Sequence, residues 1–246
     1  MPPVPFPEIF DRLNPLYSED EFDRLQTAHV TVVGLGGVGS WAAEALVRSG
    51  VGSLTLVDMD RVEATNVNRQ IQAASDTLGA PKAEALKARF ALVNPRCAVK
   101  AVVRELTPEN VSEFLAEGTL VIDCIDSIRA KAALVAASRA MGLAVFTAGG
   151  AGGRRHPGCV TSEDLAFAEG DPLLSSLRSA LRRRYGFPKA SKDRKAASFG
   201  VRAVFTGEPM RKPQGQPQAR RFGTSVTVCA TIGMRLAAEA IESIAG

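Results

Sequence analysis

From His29 to Gly150 five short apolar runs (HVTVVG, SLTLVD, CAVKAVV, LVIDCID and LAVFTAGG) alternate with segments of helical length and pattern, WAAEALVRSG, KAEALKARFALVN, PENVSEFLAEG and AKAALVAASRAMG. A near-continuous apolar run marks a strand buried on both faces, and a helix between successive strands makes them parallel through right-handed crossovers. The pattern therefore predicts an α/β fold, a Rossmann-like doubly wound and mostly parallel sheet. With 246 residues, 46% of them hydrophobic, the chain is long enough to bury a substantial core under such a sheet.

Beyond Gly153 the rhythm changes. A short strand is expected around Gly158–Ser162, a helix from Asp171 to Arg184, a Lys/Ser/Gly-rich stretch over Pro188–Ser198 and a strand at Val201–Thr206. A Pro/Gln/Lys-rich loop over Pro209–Arg221 and a helix from Thr224 to Ile244 come next. In that last helix Val228, Ile232, Leu236, Ala240 and Ile244 mark a packing face, and Arg235, Glu239 and Glu242 mark another. The expected organisation is an N-terminal arm and lead helix over 1–27, with Ser18 as N-cap, a Rossmann-like core over 28–153, and a C-terminal extension of short strands and helices over 154–246.

No stretch approaches the ~20 apolar residues of a membrane span, and the first seven residues hold four prolines without a basic region. A cytoplasmic protein without an integral membrane segment is expected. Cys97, Cys124, Cys159 and Cys229 form no CxxC pair, so buried thiols are expected rather than a zinc or redox motif. The formal net charge is +4, but the basic excess is uneven: Arg154–Arg155, Arg182–Arg184, Lys192, Arg194–Lys195, Arg211–Lys212 and Arg220–Arg221 all fall in the C-terminal part. Such asymmetry points to a polyanionic partner, the bland alternative being a solvated surface. His29 and His156 are the only histidines, and neither has an obvious catalytic partner.

Gly34-Leu35-Gly36-Gly37-Val38-Gly39 directly succeeds the strand Val30–Val33 and opens the next helix, the context a nucleotide-binding glycine loop requires. Asp58 ends the next strand nineteen residues after Gly39, where a carboxylate can accept hydrogen bonds from ribose hydroxyls. These features fit NAD and ATP equally. The residues after Asp58 separate the two: Asp58-Met59-Asp60 leads into Thr65-Asn66-Val67-Asn68-Arg69-Gln70 and then Gly79-Ala80-Pro81-Lys82. An asparagine, an arginine and a lysine at the mouth of a phosphate loop suit a triphosphate, whose departing pyrophosphate needs fixed cations. Asp123-Cys124-Ile125-Asp126 brings carboxylates to the same sheet edge, and Asp126 can hold a magnesium ion bridging phosphates. Taken singly, Arg69 could be a surface ion pair, Lys82 a solvated helix residue and Asp126 a helix N-cap.

The run of GLGGVG, the DMD carboxylates, NxNRQ, GAPK and DCIDS resembles the ThiF/MoeB/HesA superfamily of ubiquitin-activating-enzyme-like adenylating enzymes. That resemblance implies an ATP site with magnesium in which Gly34, Gly36, Gly37 and Gly39 cradle the nucleotide and Asp58 binds ribose. Asn66, Arg69 and Lys82 would hold the phosphates, and Asp126 the metal. It further implies a homodimer in which an arginine near the N-terminus, here Arg12, reaches the neighbour's nucleotide. Thr147–Gly153, Asp164-Leu165, Asp171-Pro172-Leu173, Ser191-Lys192 and Phe199-Gly200-Val201 resemble the tRNA threonylcarbamoyladenosine dehydratase branch, over nearly the whole chain. That branch implies a tRNA substrate and leaves room for a sulfur-relay protein partner. The alternatives are adenylation of a ubiquitin-like sulfur carrier and a non-catalytic nucleotide-binding module.

Overall fold

The computed structural model describes residues 9–115, 120–211 and 222–246. The lead helix α1 (Glu19–Thr27) carries the expected Ser18 cap, closed into a capping box with Glu21. Then come β1 (His29–Val33), α2 (Gly39–Arg48), β2 (Ser53–Val57), α3 (Lys82–Val93), β3 (Ala98–Val102), β4 (Leu120–Asp123), α4 (Ile128–Ala140) and β5 (Ala144–Ala148). The remainder forms β6 (Val160–Asp164), α5 (Pro172–Arg184), the single turn α6 (Arg194–Ala197), β7 (Arg202–Thr206) and α7 (Val226–Ala245).

The seven strands of the described residues lie in one sheet of order β3-β2-β1-β4-β5-β7-β6. Every pairing is parallel except that of β6 with β7. The mostly parallel, doubly wound sheet is thus as expected, and the short strands after Gly153 extend that sheet at the β5 edge. One segment differs. The pattern of PENVSEFLAEG predicts a helix, yet its described part holds only a single 3-10 turn, Val111–Phe114. The Asn110 side chain accepts from the Thr107 amide at 2.8 Å and donates to the Glu105 carbonyl at 3.0 Å, a local bonding pattern that competes with a helical ladder.

The period-2 alternation of the strands sorts the core into two faces. Val30 and Val32, Leu54 and Leu56, Ile122 and Phe146 pack with α1, α2, α3 and α7. Val33, Val57 and Val121 pack on the opposite side beneath α4 and the 3-10 turn, while Val145, Ala203 and Phe205 meet α4 and α5. Of the face expected on the last helix, Val228, Ile232, Leu236 and Ala240 are fully buried. Gly233 allows α7 to cross α2 closely, because a Cβ there would stand 2.4 Å from the Val38 carbonyl and 3.0 Å from the Ala42 nitrogen. Gly233→Ala should therefore force the two helices apart at a cost of about 1–3 kcal/mol, read as a lower urea midpoint. An unchanged midpoint would show slack at this crossing.

Candidate functional site

Helix α2 leaves β1 toward one face of the sheet and α4 leaves the neighbouring β4 toward the other. Such a divergence opens a crevice at the carboxyl ends of the strands. A cleft of about 840 Å³ lies there, and Gly34, Gly36, Gly37, Asp58, Asn66, Arg69, Lys82 and Asp126 all line it. The glycines have different tasks. Gly34 sits at φ +86°, and a Cβ on it would fall 2.7 Å from the Cys124 carbonyl. Gly36 faces open space, whereas a Cβ on Gly37 would crowd Cys229 Sγ at 3.0 Å and Arg69 Cγ at 3.2 Å. Gly39 does not line the cleft; a side chain there would strike the Gly34 carbonyl at 1.9 Å, so its task is to let the helix begin against the strand.

Asp58 locks this loop from the side. Its Oδ2 accepts the Leu35 amide at 2.6 Å and its Oδ1 accepts the Asp60 amide at 2.8 Å. Burial raises the Asp58 carboxyl above its ordinary pKa, the two amide bonds and Lys82 pulling it back down. Gln72, which sequence reasoning misses, fixes the loop from beneath by donating to the Leu35 carbonyl at 2.8 Å. Its only sequence signal is its place two residues after the NxNRQ run.

Asn66 is buried in the turn after Glu63, where its Oδ1 accepts the Glu63 amide at 3.1 Å. Arg69 Nη1 donates to the Thr65 carbonyl at 2.8 Å and to Asn68 Oδ1 at 2.9 Å; it makes no ion pair among the described residues. Trp41 Nε1 donates to the Arg69 carbonyl at 2.9 Å, which ties this segment to α2. Lys82 is no solvated helix residue: its side chain is 8% exposed, and Nζ meets Asp60 Oδ2 at 2.7 Å.

The two carboxylates after β4 divide in role. Asp123 is fully buried and pairs with the equally buried Lys131 of α4 at 2.9 Å, while Thr147 Oγ1 donates to it at 2.7 Å. Lys131 Nζ also donates to the Ile125 carbonyl at 3.0 Å, so this pair supports the turn that carries Asp126. Asp126 itself is exposed, lines the cleft and has no hydrogen-bond or ionic partner among the described residues. It is not the N-cap of α4, a place Ser127 takes. Both thiols in the cleft are held as thiols by burial, Cys124 up to about 12 and Cys229 up to about 11.

Opposite the glycine loop, Gly150–Gly152 form another wall of the cleft. Arg154 supports it: this guanidinium, 2% exposed, donates to the Gly150 carbonyl at 2.6 Å and meets Asp171 Oδ2 at 3.2 Å. Asp171 also accepts the Gly150 amide at 2.9 Å. The charge count places Arg154 on a basic surface; the carbonyls and carboxylate converging on it bury it instead. Arg182 is likewise half-buried, donating to the Pro188 carbonyl, and Arg194 pairs with Glu163 at 3.0 Å. Arg183, Arg184, Lys192 and Lys195 remain exposed without an ionic partner among the described residues, while Lys212 and Arg220–Arg221 lie outside them. Arg12 is exposed in a turn next to Phe10, which packs with Phe22 beneath Gly50, and it does not line the cleft of its own chain. His29 bonds Thr55 and His156 stands 3.8 Å from Glu208; neither lines the cleft.

Lys131→Met leaves the Asp123 carboxylate buried and uncompensated, which should cost about 3–5 kcal/mol in denaturant unfolding. Adding Asp123→Leu should recover much of that loss. A single variant as stable as wild type would contradict an ionised buried pair.

The ThiF family model matches residues 11–246. Among proteins of known function, the Haemophilus influenzae tRNA threonylcarbamoyladenosine dehydratase is 39% identical over 249 residues, covering 97% of this chain and 94% of that one. The crystal structure of the Escherichia coli tRNA N6-threonylcarbamoyladenosine dehydratase TcdA in complex with ATP superposes with a TM-score of 0.89 at 41% identity, covering 96% of this chain and 93% of that one. The same enzyme in complex with AMP gives a TM-score of 0.89 at 41% identity, with 96% and 94% covered. A family match across almost the entire chain, over a glycine-loop cleft at the sheet's switch point, means that the chain belongs to the ThiF family.

Proposed function

We propose that this protein is an ATP-dependent tRNA threonylcarbamoyladenosine dehydratase. The observation that carries the reading is the convergence of Arg69, Lys82 and the unpartnered Asp126 on one glycine loop, in a chain that is alike along its length to enzymes of that name. In this reading the backbone at Gly36, open to the cleft, takes the nucleotide phosphates, and Asp58 accepts from the ribose hydroxyls. Asn66, Arg69 and Lys82 hold the phosphate oxygens, Lys82 turning from Asp60 to the incoming anion. Asp126 would hold magnesium, which supplies positive charge against the departing pyrophosphate. A single free carboxylate fits that metal, because magnesium takes few protein ligands and completes its shell with phosphate and water.

The threonyl carboxylate of the modified adenosine attacks the α-phosphorus; the bond to the β-phosphate breaks, and pyrophosphate leaves from an acyl-adenylate. A nitrogen of the same substituent then attacks the acyl carbon, closes a ring and expels AMP, so that the RNA has lost one water. Arg69 and Lys82 act by stabilising charge on the phosphates. Ring closure is intramolecular, so proximity replaces a protein nucleophile. The raised thiols of Cys124 and Cys229 suit a route with no thioester. The 28–153 segment supplies the nucleotide site, and 154–246 supplies the exposed cations for the RNA backbone, in the cytoplasm.

Mass spectrometry of nucleosides from tRNA incubated with the protein and ATP should show loss of one water from threonylcarbamoyladenosine, and no change without ATP. Arg69→Ala and Lys82→Ala should each cut turnover by roughly 10²–10³, and Asp126→Ala should remove the response to magnesium together with the activity. An unchanged tRNA, or near-normal rates in all three variants, would overturn the reading.

The exposed Arg12, which does not line its own cleft, supports a homodimer in which it completes the neighbour's site. An inactive Arg12→Ala chain mixed with an inactive Lys82→Ala chain should then regain part of the activity through hybrid dimers. No recovery with hybrids formed would remove the shared site.

A further inference from the structure

Away from the nucleotide cleft, a groove of about 690 Å³ runs along the outer side of α4. Its floor is the small, apolar row Ala136, Ala137 and Ala140, and one bank is aromatic, formed by Tyr185, Phe187 and Phe199 after α5. That bank is braced. Phe187 and Phe199 pack edge to face with centroids 5.0 Å apart, and the Arg182 guanidinium lies 5.2 Å over the Phe199 ring while Nε donates to the Pro188 carbonyl at 3.0 Å. Tyr185 is the part left open: it is 39% exposed, and its hydroxyl has no partner among the described residues.

Arg139 lines the groove, and further cations stand beside the aromatic bank along the chain. Arg183 and Arg184 end α5, and Lys189 and Lys192 come next in the segment that forms the bank; all four are exposed and without a carboxylate partner among the described residues. Nearby charges are neutralised instead, Arg194 by Glu163 at 3.0 Å and Arg129 by Glu109 at 2.7 Å. A partly exposed ring beside a braced aromatic bank, with unpaired cations before and after it in the chain, suits single-stranded nucleic acid, whose bases stack on aromatic faces while its phosphates take the positive charge. An apolar protein segment would suit it less, since unpaired lysines are depleted from protein interfaces.

We propose that this groove is a second tRNA-binding site, in which an unpaired base stacks on Tyr185 and its flanking phosphates engage Arg183 and Arg184. The proposal rests on the tRNA reading above and adds an anchor remote from the reacting adenosine. The path between the two is short. Helix α4 starts beside Asp126, and Ala137 lies nine residues beyond Ile128, about 14 Å along the axis. One RNA strand covers that in about four nucleotides, taking a rise of ~3.4 Å.

The test measures binding and turnover of the full chain with whole tRNA and with a short single-stranded oligoribonucleotide carrying threonylcarbamoyladenosine. Tyr185→Ala should weaken whole-tRNA binding by about 10-fold, and raise KM for tRNA with kcat unchanged. Tyr185→Trp should bind as wild type, because it restores a stacking face. Arg183→Ala with Arg184→Ala should flatten the log–log salt dependence by ~0.7–0.9 for each phosphate that is no longer neutralised. ATP affinity and binding of the short oligonucleotide should not move. Wild-type affinity of Tyr185→Ala for whole tRNA would overturn the groove while leaving the dehydratase reading intact, as would an equal loss for the short oligonucleotide. A changed oligomeric state in Tyr185→Ala would likewise overturn it, by making the groove an interface between copies. Wild-type protein that modifies no tRNA at all would remove both.

Discussion

The site depends on how closely two turns approach at the centre of the sheet. The loop after β1 runs against the backbone after β4, with the Gly34 Cα so near the Cys124 carbonyl that a Cβ would fall 2.7 Å from it. Parallel pairing of β1 with β4 delivers both turns to one edge in register, Val33 opposite Asp123. This close approach brings the glycine loop and Asp126 to one cleft. Three further groups are held relative to it: Asp58 through the Leu35 amide, Gln72 through the Leu35 carbonyl, and Arg69 through Trp41.

The charges divide into those that hold the scaffold and those left for a ligand. Lys131 with Asp123, and Arg154 with Asp171, are buried pairs whose members also bond backbone carbonyls or amides of the cleft walls. Such pairs add little net stability over apolar substitutes, but losing one member is costly, so they enforce geometry more than they strengthen the fold. Arg69 and Asp126 are the reverse case, with no opposite charge among the described residues. Lys82 stands between the two groups: its stem is buried, while its partner Asp60 remains more than half exposed to water. An anion arriving in the cleft competes for Lys82 against a solvated carboxylate, a far weaker rival than a buried one.

The same sorting applies to the basic C-terminal part. A count of lysines and arginines gives a field and its sign, which govern association with a polyanion. It does not distinguish Arg154, enclosed by carbonyls and Asp171, from Arg184, open to solvent. Arg182 shows both tendencies, its charged head stacked over Phe199 and its Nε committed to a carbonyl. A polyanion would meet fewer cations than the sequence displays.

Period and punctuation determined much of this protein from sequence alone. Apolar runs set the strands, buried in β1, β2, β4 and β5 but not in the edge strand β3, the glycine loop between β1 and α2 set the edge where the cleft lies, and the spacing to Asp58, Asn66, Arg69 and Lys82 set which groups could reach it. The strand and glycine-loop signals are local, each depending on residues within a turn or a strand of one another. The missing helix in the described part of PENVSEFLAEG came from the same locality, because Asn110 offers the backbone a turn that a helical pattern does not reveal. Only the tertiary structure decided that Asp123 belongs to a buried pair while Asp126, three residues on, stays free, since the partner Lys131 comes from the next helix and Thr147 from the next strand. It also decided the fates of Arg154, Gln72 and Gly39. What encloses a side chain is assembled from segments far apart in the chain, and no pattern of neighbours along the sequence records it.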